Sequence, residues 1–418
     1  LAAAFRTALP VRIDFWDGSS LGPRDSTFAL RFTRRRALRR NMWSPNELGF
    51  VRAYVSGDLE IDGDLMEAMS TLTDFAHSGQ GPVITIDAAT TAAIARAALT
   101  VGAVGPPPGR PAEEAQLGGH LHSRRRDAEA ISHHYDVGND FYQIVLGPSL
   151  VYSCAYYEEE PGATYGLDEA QHSKLDHVAR KLGLHEGMRV LDVGCGWGSF
   201  VIHAARAYGV QAVGVTLSAE QAALARNRVL EEGLEDLVEI RVQDYRDITD
   251  GPFDAIASIG MAEHVGFTQL PAYASALYNL LAPNGRLLNH AISRRPGPRH
   301  TKPDEASLIW RYVFPDGELN PLSDMIDVLE TAGFEVRDVE SLREHYGRTL
   351  RAWVANLETQ WDEAVRLTTP GRARVWRLYM AGSALGFEAN WVGVSQVLAV
   401  RTPPTGESMM PPTRATFA

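Results

Sequence analysis

Three glycines at alternate positions, Gly194, Gly196 and Gly198, follow a short apolar run, Val190 to Val193, that contains one acid, Asp192. Glycine lets a backbone turn tightly and lets a ligand approach it closely. The run before it reads as a strand buried on both faces. Ser199 to Tyr208 is apolar at helical spacing, and Gly209 stops it. Strand, glycine turn and helix is how an α/β sheet presents a nucleotide-like ligand at its carboxyl edge. A glycine fingerprint alone is a weak signal. A dinucleotide site wants GxGxxG and an acid roughly 20 residues on for a ribose hydroxyl. Here the spacing is GxGxG, the second strand runs into Val215-Thr216-Leu217 without an acid, and Glu220 already lies in a helix. That departs from dinucleotide binding.

The elements around this turn repeat its pattern. Candidate strands are Arg189–Val193, Gln211–Thr216, Val238–Val242, Ala255–Ile259, Arg286–Ala291, Glu335–Val339 and Ser395–Val400, with helical segments between the early ones. Strands alternating with helices imply a mostly parallel sheet covered on both sides. Ser218 with Gln221 three residues on reads as a capping box. The first hundred residues differ. Val11–Trp16 and Thr27–Phe32 read as strands around the turn residues Asp17 to Ser20, and Glu47–Tyr54 reads as a helix. The stretch Val101 to Pro111, with Pro106 to Gly109, is a stiff connector. This gives a smaller α+β amino-terminal domain (1–110), a linker (111–127) and a larger α/β domain (128–418).

The 418 residues carry a net charge of −12, with 45% hydrophobic and 22% charged residues. This is the balance of a globular protein, and it argues against bulk nucleic-acid binding. No apolar run reaches the ~18–20 residues needed to span a bilayer. The chain begins at Leu1 rather than Met, so residues upstream are expected and a targeting segment there is left open. Two cysteines, Cys154 and Cys195, are too few for a disulfide framework and fit a reducing compartment. Cys195 reads as a small residue of the glycine turn. Arginines cluster at Arg34-Arg35-Arg36 with Arg39-Arg40, at Arg124-Arg125-Arg126, and at Arg294-Arg295 with Arg299. They read either as solvated surface or as contacts to anionic lipid head groups, worth about 1 kcal/mol per basic residue near a charged membrane. Only Lys174, Lys181 and Lys302 are lysines, a composition that suggests a high-GC organism.

The GxGxG turn resembles the methyltransferase variant of the Rossmann-like fold, which binds S-adenosylmethionine. Further segments resemble the cyclopropane fatty acid synthase family, with its mycolic-acid and actinobacterial methyl-branching relatives. They are residues 133–142 (HHYDVGNDFY), 152–156 (YSCAY), 191–198, 215–221 (VTLSAEQ), 243–247 (QDYRD), 263–266 (EHVG), 312–317 (YVFPDG), His345-Tyr346, and 349–353 (TLRAW). They stand in family order over most of the second domain, while the first 110 or so residues match less distinctly. The resemblance implies a class I methyltransferase with a mostly parallel seven-stranded sheet and helices on both faces. It also implies methyl transfer from S-adenosylmethionine to the double bond of an acyl chain, with S-adenosylhomocysteine (SAH) as coproduct.

An alkene is a poor nucleophile, so holding the methyl donor in line with it supplies several kcal/mol. The resulting carbocation demands a dry site and benefits from aromatic faces. A base must then take a proton. For the cofactor, the backbone at Gly194 and Gly196 can approach the methionine end and ribose. By resemblance, Thr216, Leu217 and Gln221 surround the ribose and adenine, Asp244 and Tyr245 meet the adenine edge, and Tyr135 and Ser153 close over the methionine part. The resemblance also implies that a bound bicarbonate is the base, with Cys154, Glu263, His290, Ile292 (through its backbone) and Tyr346 as its ligands. Protonated His290, a tyrosine hydroxyl and a backbone N–H suit a small anion, and Glu263 can accept the bicarbonate hydroxyl proton. Alone, Cys154 reads as a small buried residue, His290 as a core histidine and Glu263 as a helix cap; the surrounding motifs favour the functional reading. The set lacks metal-ligand spacing, and methyl transfer from a sulfonium needs no metal. Trp310, Tyr312, Phe314, Tyr379 and Phe387 are candidates to line an acyl tunnel or face the cation. Trp376, Tyr379 and Phe387 read equally well as plain core.

The expected substrate is an unsaturated acyl chain on a phospholipid. The product is a cyclopropane if the transferred methyl loses the proton. A neighbouring carbon losing it after a hydride shift leaves a methylene branch, which a separate reductase converts to a methyl branch, as in ten-methyl (tuberculostearic-type) fatty acids. The cyclopropane is the first expectation. Contact with an anionic membrane, a cytoplasmic location at the inner face of the plasma membrane and a homodimer are expected too. Competing readings are a non-catalytic lipid-binding protein on a methyltransferase fold and a small-molecule O- or N-methyltransferase.

Overall fold

The structure is a computed structural model and describes residues 10–77, 96, 99, 104–115, 126, 137–297 and 307–417. The chain divides into two compact units.

The first unit comprises residues 1–116, 304–313 and 368–385. Its elements begin with β1 (Arg12–Phe15), β2 (Ser20–Leu21), β3 (Ala29–Phe32), α1 (Arg35–Trp43), α2 (Glu47–Val55), β4 (Leu59–Asp62) and α3 (Leu65–His77). The expected turn is present: Asp17 Oδ1 accepts from Ser19 N (3.0 Å) and Ser19 Oγ (2.6 Å). It delivers the chain into the short β2, antiparallel to β1, whereas β3 runs parallel to β1. The sheet order is β2-β1-β3-β4. Buried charges join the separate stretches. Asp58 is fully buried, accepts from Arg36 through both oxygens (2.8 Å each) and from Arg40 Nε (3.1 Å). Glu114 takes two bonds from Arg52 (2.7 and 2.8 Å) and one from the Tyr312 hydroxyl (3.3 Å). Arg311 O accepts from Ala115 N (2.8 Å), and Leu308 N donates to Glu47 (2.9 Å). A linear boundary at residue 110 has no means of assigning 304–313 and 368–385 to this unit.

The second unit comprises residues 117–303, 314–367 and 386–418. In chain order its elements are α4 (Asn139–Leu146), α5 (Leu167–Leu182), β5 (Arg189–Val193), α6 (Ser199–Tyr208), β6 (Gln211–Thr216), α7 (Ala219–Glu231), β7 (Val238–Val242), β8 (Phe253–Ile259), α8 (Leu270–Leu280), β9 (Leu281–Arg294), β10 (Asn320–Pro321), α9 (Leu322–Thr331), β11 (Glu335–Ser341), α10 (Arg343–Thr359), α11 (Trp361–Leu367), α12 (Pro370–Glu388, which begins in the first unit) and β12 (Val392–Val400). All seven expected strands are present, in the order β11-β12-β9-β8-β5-β6-β7, with β10 paired to β9. The strands from β5 to β9 are parallel, and β12 runs antiparallel to both neighbours. Successive residues of β5 feed opposite apolar layers. Val190 packs with Val178, Phe200 and Ala222 from the α5, α6 and α7 side, and Leu191 and Val193 pack with Tyr273, Leu277 and Leu329 from the α8 and α9 side. Each face of the sheet is therefore covered by helices, which is why inner strands such as β5 and β6 read as nearly continuous apolar runs, while the edge strand β7 alternates. Among the described residues no helix is long and apolar enough to cross a membrane.

Candidate active site

The sheet order reverses at β5: β6 and β7 extend to one side, β8 and β9 to the other. Such a switch point opens a crevice at the carboxyl ends of the strands. The glycine turn sits there. Gly194, Gly196 and Gly198 all take positive φ (83°, 54° and 79°), and Gly194 N and Cys195 N both donate to Val215 O (3.0 and 2.9 Å). A Cβ added at Gly194 would press on the Met261 side chain (3.2 Å), and one at Gly198 on Ala225 (3.2 Å). One added at Gly196 meets no atom within 4 Å, so this glycine faces open space. The turn continues into α6, whose last residue, Tyr208, and left-handed cap, Gly209, stand where the sequence puts them.

A cleft of about 170 Å³ lies against this turn. Its lining includes Ser153, Gly194, Gly196, Thr216, Leu217, Gln221, Asp244 and Tyr245, eight of the nine residues expected around the cofactor. The ninth, Tyr135, lies outside the described residues. Ser218 caps α7 by accepting from Gln221 N (3.2 Å). The reciprocal half of the expected capping box is replaced: Gln221 Oε1 accepts from the Thr216 hydroxyl (2.9 Å) on the wall of the cleft, and Ser218 N donates back to Thr216 Oγ1 (3.2 Å). Asp244 is held by Arg246, which donates from Nε (2.8 Å) and from its backbone N (2.9 Å). Tyr245 stands edge-on to buried Tyr273, ring centres 5.6 Å apart.

Two charged residues of this cleft, Lys174 and Asp192, were visible in the sequence but given no role in a site. Both are almost wholly buried. Burial pushes the Asp192 carboxyl up to about 7, against the pull of Lys174, and pushes the Lys174 ammonium down to about 8. Lys174 Nζ donates to Ser153 Oγ (3.0 Å). One signal was available: three lysines in an arginine-rich chain, two of them in one helix.

Of the residues expected around a small anion, His290 and Ile292 lie near the carboxyl end of β9 and Glu263 meets Ile292 there, while Cys154 and Tyr346 are joined to one another through Leu342. Glu263, just past β8, accepts from Ile292 N through Oε1 (2.7 Å), and its Oε2 is buried without a partner. Burial pushes this carboxyl up to about 7. Ile292 stands opposite Val394 on β12, whose carbonyl accepts from Leu342 N (2.9 Å). The Leu342 carbonyl in turn meets the Cys154 thiol (3.6 Å) and Tyr346 N (3.1 Å). Burial drives the Cys154 thiol well up, so it stays protonated and acts as a donor. Tyr346 packs on Phe387 and against Trp353 (4.6 and 6.0 Å).

His290 corrects an expectation. Burial, together with the positive charges of Lys174 and Lys181, lowers its pKa to about 3, so it is neutral rather than protonated. Gln396 Nε2 donates to His290 Nδ1 (3.3 Å), which leaves the ring proton on Nε2, an atom buried without a partner. A neutral N–H remains available there.

The aromatic candidates separate. Trp310, Tyr312, Trp376 and Tyr379 belong to the first unit, Phe314 and Phe387 to the second, and none lines the cleft. Tyr312 is spent on Glu114 and Trp376 packs against Tyr379 (5.9 Å), which is core packing. Several clustered arginines are spent as well: Arg36 and Arg40 on Asp58, Arg126 on both oxygens of Asp316 (2.7 and 2.8 Å), and Arg294 on the Leu319 carbonyl (3.0 Å). Arg124, Arg125 and Arg299 lie outside the described residues.

The strand order, the glycine turn at the switch point and the polar cleft beside it define a class I S-adenosylmethionine-dependent methyltransferase. The residues suit that cofactor: an open glycine edge at Gly196 and a lining that mixes polar groups (Ser153, Lys174, Asp192, Thr216, Asp244) with apolar ones (Val193, Phe200, Val215). Residues 122–397 match the family model described as mycolic acid cyclopropane synthetase, and the chain belongs to that family. It is 41% identical over 413 residues to a probable fatty acid methyltransferase of Mycobacterium tuberculosis, covering 96% of this chain and 93% of that one. To the tuberculostearic acid methyltransferase UfaA1 of the same organism it is 32% identical over 409 residues, covering 95% and 89%. The solved mycolic acid cyclopropane synthase CmaA1 complexed with SAH and CTAB superposes with a TM-score of 0.61 at 31% identity, covering 65% of this chain and 98% of that one. The protein is an S-adenosylmethionine-dependent methyltransferase acting on fatty acyl chains.

Proposed function

We propose that this enzyme methylates the double bond of an unsaturated acyl chain carried on a phospholipid, and that bicarbonate removes the proton from the resulting carbocation. S-adenosylmethionine supplies the electrophilic methyl group. Ser153, Gly194, Gly196, Thr216, Leu217, Gln221, Asp244 and Tyr245, with Tyr135, hold it at the switch point. His290 Nε2–H, the Ile292 N–H and the Tyr346 hydroxyl hold the anion, and Cys154 joins them by turning its thiol hydrogen from the Ala155 and Leu342 carbonyls. The observation that carries this reading is Glu263. Its carboxyl is buried against the Ile292 N–H, has an unpartnered second oxygen, and titrates near 7 rather than near 4.5. An incoming anion takes the Ile292 N–H and leaves Glu263 to accept the bicarbonate hydroxyl proton, which strengthens the base. The Asp192 and Lys174 charges stay with the cofactor cleft.

The proton lost decides the product. Removal from the transferred methyl closes a cyclopropane, the first reading. A second reading, the methylene branch that a separate reductase would convert to a methyl branch, is favoured by the 32% match to a tuberculostearic acid methyltransferase along nearly the whole of both chains. The test is turnover in buffer stripped of bicarbonate, with mass spectrometry of the lipid product. Turnover should fall on stripping and return on adding bicarbonate, and the lipid should gain one CH2, placed by fragmentation as ring or branch. Turnover indifferent to bicarbonate overturns the anion as base.

We further infer a peripheral site on the inner face of the plasma membrane. Arg34 and Arg35 are exposed at the start of α1, and Met42 and Trp43 at its end are 47% and 57% exposed. Basic residues at one end of a short helix and exposed apolar residues at the other suit an anionic lipid surface. A homodimer belongs to the same reading.

A further inference from the structure

The two buried lysines of α5 differ in one respect. Lys181 Nζ sits 2.5 Å from Glu340 and 3.6 Å from Asp338, so its charge is paired. Lys174, two turns earlier, is 1% exposed and donates to a hydroxyl, Ser153 Oγ. Among the described residues no carboxylate stands within ion-pair distance of it. Gln171, one turn before, donates to Ser153 O (2.9 Å) and Val151 O (3.4 Å), so the segment over Lys174 is fastened from the same helix face. A buried charge without a counter-ion in contact is costly, the Asp192 carboxyl acting on it only at longer range, and its position inside a ligand cleft points to an anion arriving with the ligand. The chain has three lysines among 40 basic residues, so its composition strongly favours arginine. A compact ammonium with rotatable donors suits a narrow buried site better than a planar fork.

The second cation of the cleft, Arg246, is committed to Asp244. An S-adenosylmethionine-type cofactor brings one anionic group, the carboxylate of its amino-acid end. Resting on the cofactor assignment above, we propose that Lys174 binds that carboxylate, with Ser153 sharing the contact and Asp192 at the end of β5 facing the α-ammonium. The polar groups of the cleft then have separate uses: the charged pair takes the zwitterion, and Thr216, Gln221 and Asp244 take the nucleoside. Lys174 fixes which way round the cofactor lies and so where its methyl group points.

The test is calorimetric, on the full chain, with SAH and with its analogue lacking the carboxylate. The wild type should bind the analogue roughly tenfold to a hundredfold more weakly. Lys174→Met should bind SAH about as weakly as the wild type binds the analogue, and should no longer distinguish the two. Lys174→Gln, which keeps a donor for Ser153, should behave likewise, and thermal melting shows that each variant is folded. Folded variants that still discriminate as the wild type does overturn the assignment. So does unchanged discrimination with loss of the bicarbonate dependence of turnover, which would give Lys174 to the small anion instead. A wild type that binds neither nucleoside overturns the cofactor assignment itself.

Discussion

Glu263 is a carboxyl whose protonation decides two measurable things. Its folded pKa, about 7, lies above the ordinary 4.5, so the folded state favours the neutral form. The stability this gives is fully present below about 4.5 and is lost as pH rises through about 7. The full difference corresponds to about 3 kcal/mol. Glu263→Gln carries no such term, so relative to the wild type it should gain stability between pH 5 and 8 in paired melting curves. Turnover should be abolished in the variant while calorimetry shows cofactor affinity nearly intact; loss of cofactor binding would instead make Glu263 a cofactor ligand. In the wild type kcat/KM should rise with pH through about 7, as the accepting carboxylate forms. Gly196 gives a complementary case. Its φ of 54° strains a β-branched side chain by about 1–2 kcal/mol, yet a Cβ there meets no protein atom. Gly196→Val should therefore fold, melt slightly lower and fail to bind SAH. Gly196 was legible in the sequence from the GxGxG spacing, and Glu263 only through the family resemblance, since alone it read as a helix cap. The protonation of His290 was not legible. It depends first on complete burial and then on Lys174 and Lys181, which act on it from a helix far away in the chain, and no local pattern records either.

Among the elements, those that the sequence displayed are the ones whose burial is local in cause. The strands β5, β6 and β7 keep the expected bounds, β5 and β6 because their largely apolar runs end where burial ends, and β7, at the edge of the sheet, because Val238 and Ile240 alternate with Glu239 and Arg241. β8, β9 and β12 extend beyond the expected segments, into residues whose pairing comes from neighbouring strands rather than from their own pattern. The parallel pairing of β1 with β3 was hidden for the same reason: the turn at Asp17 is visible, but the partner it serves is the two-residue β2. The α1 arginines show how far a charge run misleads. Arg36 and Arg40 clasp one buried carboxylate, Asp58. Asp58→Ala leaves Arg40, 6% exposed, without its counter-ion, and should cost about 3–5 kcal/mol of stability in denaturant titration, the scale of a broken buried pair.

At the scale of the whole molecule, the arginines left free for a membrane are fewer than the sequence suggested, and the experiment changes accordingly. Reversing Arg34 and Arg35 to Glu should weaken association with anionic vesicles, most clearly at low salt, while leaving the melting temperature unchanged. Reversing Arg36 would damage the fold instead. Partitioning that ignores the double reversal would return these residues to plain solvated surface. The full length of the match to fatty acid methyltransferases places the amino-terminal unit within the shared architecture, although its motifs were the faintest in the sequence. Its faintness follows from its construction, since part of its packing comes from segments written much later in the chain.

That construction bears on biosynthesis. Glu114 needs Tyr312, Ala115 needs the Arg311 carbonyl, Glu47 caps Leu308, and Arg374 reaches Glu60 (3.5 Å). A ribosome delivering the polypeptide vectorially releases the amino-terminal portion first. The contacts that tie the amino-terminal residues to segments 304–313 and 368–385 therefore form late, after most of the polypeptide has emerged.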